Sequence, residues 1–531
     1  MTARFDAIVI GGGTNGLVAA TALAQAGRRV LLLERADRTG GKARVVEFAP
    51  GFHAPSLGLE AGWLPPTVAR GIGLAPPPMD ESGVALTVAA GDGDFLRFPR
   101  DPARVAEEIQ RRSPRDASRW NAFGKRMGAL VRFLEALYQL PPPDIDTRAL
   151  GELPGLLGLG RKFRGLGRDG MTELLRVMPM PVQDLLDDEF ETDIVKAAIA
   201  AGALRDLRQG PRSGGTAFGL LHYLVGAPAG SVRGRGAWRE RPDAVVAAAE
   251  AAARKAGVAI RCSAHVARIL VRDDAVGGVA LESGEEITAP VVLSTADPSA
   301  TIGMVDPAWL DPEFLLAVRN IRYRGCTAVL HYALDRLPAV RGLNEPEQAL
   351  AGIVSLSPTL DSLERAADAA KYGDIPDVPH IELTVPTLRW PSLAPAGKHV
   401  LVARVQYAPY HLRGGGEWNA ESTRTLTSAV SAAIQRVMPL SQGAGAVMTP
   451  RTIADDYALT HGGITHGELL LDQILFMRPV AGWGRYAMPI DGLYLGGSGA
   501  HPGPGVIGGA GWLAAGRALA DAKRSPAGGK R

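Results

Sequence analysis

The stretch that most restricts the fold is Asp6–Arg35, DAIVIGGGTNGLVAATALAQAGRRVLLLER. Ala7–Ile10 is a short unbroken apolar run, the pattern of a parallel strand buried on both faces. Gly11, Gly13 and Gly16 follow at the spacing G-x-G-x-x-G. That spacing supplies a tight turn, a close approach of backbone to a diphosphate, and close packing of helix on strand. Leu17–Gln25 predicts a helix, Gly27 its stop, and Val30–Leu33 a second buried strand. Glu34 closes that strand 18 residues after Gly16. A carboxylate there accepts both hydroxyls of a ribose and repels a 2′-phosphate. Thr14 and Asn15 stand at the helix start, where free amides and partial positive charge favour a diphosphate. These signals in register predict a Rossmann-type unit holding an ADP moiety.

A chain of 531 residues is long enough for two or more domains with ample core. The formal net charge of +3 is too small to imply nucleic acid, and no basic stripe is interleaved with aromatics. No apolar run reaches the length of a membrane-spanning helix. The first strand begins by residue 6, so a cleaved secretory leader is not expected. Cys262 and Cys326 form no C-x-x-C pair and predict two free thiols in a reducing compartment. No His/Cys cluster has metal-ligand spacing, so no metal is expected.

RADRTGGKARV, Arg35–Val45, follows the ribose acid directly. Gly40 and Gly41 permit a second sharp turn, and Lys42 and Arg44 are cations able to approach a diphosphate. This resembles the double-glycine signature of flavin-dependent amine oxidases and carotenoid desaturases, although Ala43, Val45 and Val46 stand where the pattern has Ser or Thr. The resemblance implies FAD, with Arg35, Gly41 and Lys42 in its site. From Pro242 the order helix, strand, hairpin, strand matches the return of such enzymes to their flavin domain, and by that resemblance Val266 pairs its backbone with the adenine edge. Trp238 and Arg239 occupy the place of a Gly-Gly pair in relatives. Near the other end, the strand Leu493–Leu495 runs into Gly496, Gly497, Ser498 and Gly499, and a helix is expected from about Val506 to Ala522. Gly497 and Ser498 then lie beside the ribityl and diphosphate chain. The amides of Val506 and Ile507 meet the flavin's pyrimidine oxygen.

Together these pieces resemble the phytoene desaturase-like branch of FAD-dependent oxidoreductases, within the flavin amine oxidase and carotenoid desaturase superfamily. The subgroup is the one named for a pyridine nucleotide–disulfide oxidoreductase domain. Gly462–Val506 is the most specific block and Asp184–Ala200 a second, with Pro504 standing where relatives have glycine. The expected fold is α/β: a discontinuous Rossmann-type FAD-binding domain from 1–75, 230–305 and 450–520, with a mixed α+β substrate domain from two insertions. The first insertion, 76–229, reads as mostly helical. The second, 306–449, mixes helices with strands such as GCTAVLHYAL and KHVLVARVQYAP. Residues 521–531 read as a flexible polar tail.

Such an enzyme places a substrate C–H about 3–3.5 Å from flavin N5, supplying position and electrostatics. His501, in the flavin loop, is the first candidate for proton transfer or ring contact, with a loop-structuring role equally open. Arg478, Tyr457, His461 and His466 are weaker candidates. The leading expectation is a dehydrogenase or desaturase acting on a small apolar, isoprenoid or carotenoid-like substrate, with oxygen or a quinone as acceptor. An amine or amino-acid oxidase and a flavin-holding interaction protein with little turnover are the alternatives. Arg161, Lys162, Arg164 and Arg168, interleaved with Leu and Met, either touch anionic lipid or reach to solvent from a packed helix, the second being the reading preferred. A cytoplasmic location is expected, with peripheral membrane contact left open. Oligomeric state is not readable from the sequence.

Overall fold

Ala7–Ile10 lies at the centre of a five-stranded parallel sheet in a computed structural model of the chain. The structure describes residues 4–57, 62–80, 83–91, 93–143, 153–228, 230–232, 234, 236–441 and 443–524. The sheet runs in the order Leu493–Leu495, Val292–Ser294, Ala7–Ile10, Val30–Leu33, Ala259–Arg261. Ile8 is in register with Val292 on one side and Leu31 on the other. All four residues of Ala7–Ile10 and of Val30–Leu33 are buried, which is why neither strand alternates polar with apolar. The helix Thr14–Gln25 covers one face and packs against Pro242–Lys255 and Gly509–Arg524. The last of these carries regular structure through Arg524, so residues 521–524 of the expected tail are helical. The tail beyond Arg524 lies outside the described residues.

A second sheet has seven strands, in the order Ala446–Met448, Thr327–Leu334, His399–Gln406, His380–Thr384, Ile353–Ser355, Val84–Gly91, Asp94–Pro99. Its longest pair is antiparallel over eight residues, from Thr327 opposite Gln406 to Leu334 opposite His399. Alternation decides the faces: Ala328, Leu330, Tyr332 and Leu334 join one core with Leu426, Val430 and Ile434 of the helix Ala420–Val437, and Val329 joins another with Phe52. The segment 76–229 is not purely helical. Val84–Gly91 and Asp94–Pro99 form a hairpin that joins the sheet's edge, parallel to Ile353–Ser355. That pairing is long-range and has no signature within the hairpin itself.

The rest of that segment is a helical layer. Pro114–Leu137, Asp193–Ala203 and Thr216–Leu224 bury Met127, Leu130, Val195 and Leu220 against Leu86 and Val88 of the sheet. Ser113 caps the longest of these by accepting the Asp116 N–H. Arg161, Lys162, Arg164 and Arg168 are exposed, while Leu159, Phe163 and Leu166 turn inward onto the helical core. None of the described helices is long and apolar enough to cross a membrane.

Candidate active site

A cavity of about 670 Å³ lies at the carboxyl ends of three parallel strands, walled by Ile10, Leu33 and Thr295. This is where ligands bind in open α/β sheets. The glycines that shape it act differently. Gly11 has φ +98, and a Cβ on Gly16 would lie 1.9 Å from the Gly11 carbonyl oxygen, so Gly16 is where the helix touches the turn. A Cβ on Gly13 would meet no protein atom within 4 Å, so its open side faces the cavity it lines. The Gly40 N–H donates to the Gly12 carbonyl at 2.9 Å, tying the second glycine turn to the first.

Glu34 lines the cavity, its carboxylate accepting the N–H groups of Gly12 at 2.6 Å and Ala36 at 2.8 Å. Thr14, Asn15, Arg35, Gly41, Lys42, Val266, Ser498 and Ile507 share the wall. Arg35 is held there by the carbonyls of Asp455 and Asp456. Trp238 is buried and forms part of the same wall.

Three of the expected cofactor residues stand behind the wall. Gly16 and Gly497 are packing positions, a Cβ on Gly497 falling 2.4 Å from the Thr295 carbonyl oxygen. Val506 is bridged to Trp63. The Ile507 amide is not offered to a flavin as expected: it donates to the Trp63 carbonyl at 2.7 Å, while the Trp63 N–H donates to Gly505 at 2.8 Å.

His501 lines neither this cavity nor its neighbour. It is fully buried, edge-on to Tyr138 with ring centroids 5.6 Å apart. Burial pushes its pKa down to about 4, against the opposing pull of the Leu137 and Leu140 carbonyls. Arg478 is likewise buried, and its guanidinium donates to backbone carbonyls, including Ser498 at 2.7 Å and Gln473 at 2.9 Å. It therefore pins the Thr465–Gln473 stretch to the loop at Ser498. Tyr457 and His466 line the large cavity, and the Arg44 guanidinium sits 4.9 Å from the Tyr457 ring centroid. His461 packs on Tyr410 and His411.

The donor set suits FAD. Glu34 lines the cavity with a carboxylate of the kind that accepts ribose hydroxyls, the twelve-residue helix Thr14–Gln25 points its N-terminus into the cavity, and Gly13 leaves room there. Asn15 Oδ1 and His466 Nδ1 are buried polar atoms without a protein partner among the described residues, both on wall residues. In folded proteins such atoms are normally satisfied by something bound.

A second cavity, of about 220 Å³, adjoins the first and shares Lys42, Gly62 and Gly505 with it. Sequence reasoning missed its polar side chains because they come from segments far apart. Arg205, Asp206 and Tyr223 come from the helical layer, and Glu382, Arg389 and Arg404 come from the seven-stranded sheet and its following turn. Arg404 and Asp206 form a buried ion pair, and Thr327 Oγ1 donates to the same carboxylate at 2.8 Å. Lys42 Nζ donates to the Ile464 carbonyl at 2.5 Å, and burial pulls its pKa down to about 8. Cys326 is buried and Cys262 partly so, both as free thiols.

Fold and site together define a Rossmann-type dinucleotide-binding protein with a second, smaller cavity adjoining the larger one. Residues 98–519 match the model of the flavin-containing amine oxidoreductases and residues 9–66 that of an NAD(P)-binding Rossmann-like domain. The chain belongs to the flavin-containing amine oxidoreductase family. It is 32% identical over 545 residues to mouse (Mus musculus) pyridine nucleotide-disulfide oxidoreductase domain-containing protein 2, covering 96% of this chain and 93% of that one. It is 24% identical to a phytoene desaturase of Fusarium fujikuroi, covering 94% of this chain and 86% of the other. Among solved structures, cyclohexylamine oxidase from Brevibacterium oxydans superposes with a TM-score of 0.56 at 16% identity, covering 98% of this chain and 99% of the other.

Proposed function

We propose that this FAD-dependent oxidoreductase is a dehydrogenase that removes a hydride from a carbon of a compact substrate held in the smaller cavity. The observation that carries the reading is the junction at Lys42, Gly62 and Gly505, where the two chambers share walls. FAD bound in the larger chamber supplies the hydride acceptor at N5. The chain's own residues would position and seclude: Glu34 would hold the ribose, the Gly13–Asn15 turn would take the diphosphate, and Leu57, Trp390 and Ile464 would exclude water around the substrate. Oxygen or a quinone takes the electrons onward.

Similarity to a phytoene desaturase supports carbon–carbon desaturation as the chemistry. A long polyene needs an extended apolar channel, whereas this chamber holds about 220 Å³ and sets Lys42, Arg100, Arg205, Asp206, Glu382, Arg389 and Arg404 among apolar residues such as Leu57, Ile353 and Trp390. The reading therefore narrows from an isoprenoid to a smaller, functionalised molecule.

Anaerobic bleaching of the purified yellow protein tests this. Short-chain acids, amines and carotenoid precursors are added in turn, and the flavin absorbance should fall with a compact substrate and stay unchanged with phytoene. Protein that is colourless, and stays so after incubation with excess FAD, ends the reading. Yellow protein bleached only by the polyene ends the narrowing.

A further inference from the structure

A short strap, Gly236–Arg239, divides the two cavities. Gly236 and Ala237 line the smaller one, whereas the next residue, Trp238, lines the larger. Hydrogen bonds fix this backbone. The Asp80 N–H donates to the Ala237 carbonyl at 2.9 Å and the Arg239 N–H to the Pro78 carbonyl at 2.9 Å, so Met79 and Trp238 form an antiparallel bridge. The indole N–H of Trp390, a wall residue of the smaller cavity, donates to the Arg239 carbonyl at 2.8 Å.

The helix Pro242–Lys255 shows which end of the cofactor cavity Trp238 serves. Its Glu250 accepts from Thr39 Oγ1 at 2.5 Å. A Cβ on Gly12 would lie 3.0 Å from Glu34 Oε2 and 3.2 Å from Thr39 Cγ2, so this part of the helix stands near the Glu34 carboxylate. Pro242 comes eight residues earlier, about 12 Å back along the axis, and Trp238 precedes it. Trp238 and Val245 form a small core on which Met79 and Ile507 pack. A Cβ on Gly62, which lines both cavities, would lie 2.7 Å from Ile507 Cγ1. Trp238 therefore belongs to the end where the cavities meet, away from Glu34.

We propose that Trp238 is a cofactor-positioning residue whose indole packs on the isoalloxazine ring of bound FAD and holds it at the opening to the smaller cavity. The indole presents a broad uncharged aromatic face, and the isoalloxazine is the flat aromatic system of FAD remote from its adenosine half. One strap thus meets the substrate through Gly236 and Ala237 and the cofactor through Trp238, and its backbone sets the separation between them. The inference rests on the placing of the flavin beside the junction and not on which substrate is oxidised.

The test separates the two halves of the cofactor. Dissociation constants for FAD and ADP are measured by calorimetry on full-length protein freed of flavin and shown to turn yellow again when FAD is returned. Trp238→Ala should weaken FAD roughly tenfold and leave ADP, which lacks the ring, within about twofold of wild type. Trp238→Phe keeps an aromatic side chain against Val245 and guards against a variant that fails to fold. In its holoprotein the visible circular dichroism of the flavin should differ from that of wild type.

Equal loss of FAD and ADP affinity in Trp238→Ala overturns the inference, because the indole then serves the adenosine half or the fold alone. Unchanged FAD affinity in that variant overturns it too, as do flavin spectra of Trp238→Phe that superimpose on wild type. Its failure is separable from that of the function. Protein bleached by a compact substrate, with FAD and ADP weakened alike in Trp238→Ala, keeps the dehydrogenase reading and loses this one. Protein bleached by nothing, with only FAD weakened, does the reverse.

Discussion

The two chambers of this protein are built by different means. In the larger, Gly11, Gly13, Gly41 and Gly505 bring backbone to the cavity between side chains such as Glu34, Arg35, Trp238 and Tyr457. The smaller is walled by long charged side chains from the helical layer, the seven-stranded sheet and the glycine turn at Lys42. Backbone geometry is fixed by local spacing, so one cofactor can be held across much sequence change. Side-chain walls depend on which distant segments meet, so the substrate can change while the cofactor stays.

The sharpest way to break this contrast is to disturb each wall in turn. Arg404→Met strands the Asp206 carboxylate in a site where both partners are about 10% exposed. It should cost about 3–5 kcal/mol of stability, seen as a lowered Tm. A loss below ~1 kcal/mol would show that water reaches the pair and that the chamber is not a dry, side-chain-built wall.

On the cofactor side, Gly16→Ala and Gly13→Ala should separate. The first drives a methyl into the Gly11 carbonyl and should cost about 1–3 kcal/mol or more, with bound flavin lost. The second points its methyl into open cavity from an extended backbone at φ −71, so Tm should hold while the ratio of flavin to protein absorbance falls. Equal loss of Tm in both would mean that Gly13, too, serves packing.

Lys42 stands in both walls, and pH sharpens the comparison there. Its ammonium is opposed by burial and by Arg478, supported by Asp206 and Asp297, and faced by His466. It titrates at about 8, so the folded chain gives up this proton before the unfolded chain does. Stability should therefore rise between about pH 8 and the ordinary lysine value of about 10.4, read from denaturant midpoints measured across that range. In Lys42→Met this rise should disappear. A rise that persists in that variant assigns the titration elsewhere.

The smallest effect expected is at the joint between the layers. Tyr138 Oη lies 2.8 Å from His222 Nδ1, and His222 Nε2 lies 2.8 Å from the Pro504 carbonyl, which fixes the Nε2–H tautomer with Tyr138 as donor. Tyr138→Phe should cost about 1 kcal/mol, read from denaturant unfolding, with FAD still bound.

The same contrast explains what could be read from the sequence. Gly11, Gly13, Gly16 and Glu34 were legible because their geometry closes within a strand–helix–strand unit, and helix limits such as Pro242–Lys255 fell close to the expected Pro242–Ala256. The Ile507 amide was misjudged because its partner, Trp63, lies 444 residues away. His501 invited a chemical role from its glycine-flanked loop, yet Tyr138 at the end of a distant helix encloses it. The hairpin at Val84–Pro99 was missed for the same reason: its sheet neighbour is Ile353–Ser355.

The central sheet has a consequence for biosynthesis. Ala7–Ile10 is synthesised before its neighbour Val292–Ser294, which follows by some 280 residues, and the edge strand Leu493–Leu495 follows by about 200 more. Until that edge docks, the nascent α/β layer has an exposed flank and lacks the wall supplied by Ser498, Gly505 and Ile507. Such long-range parallel pairing folds slowly, so the flavin pocket should close only after the strand Leu493–Leu495 has emerged.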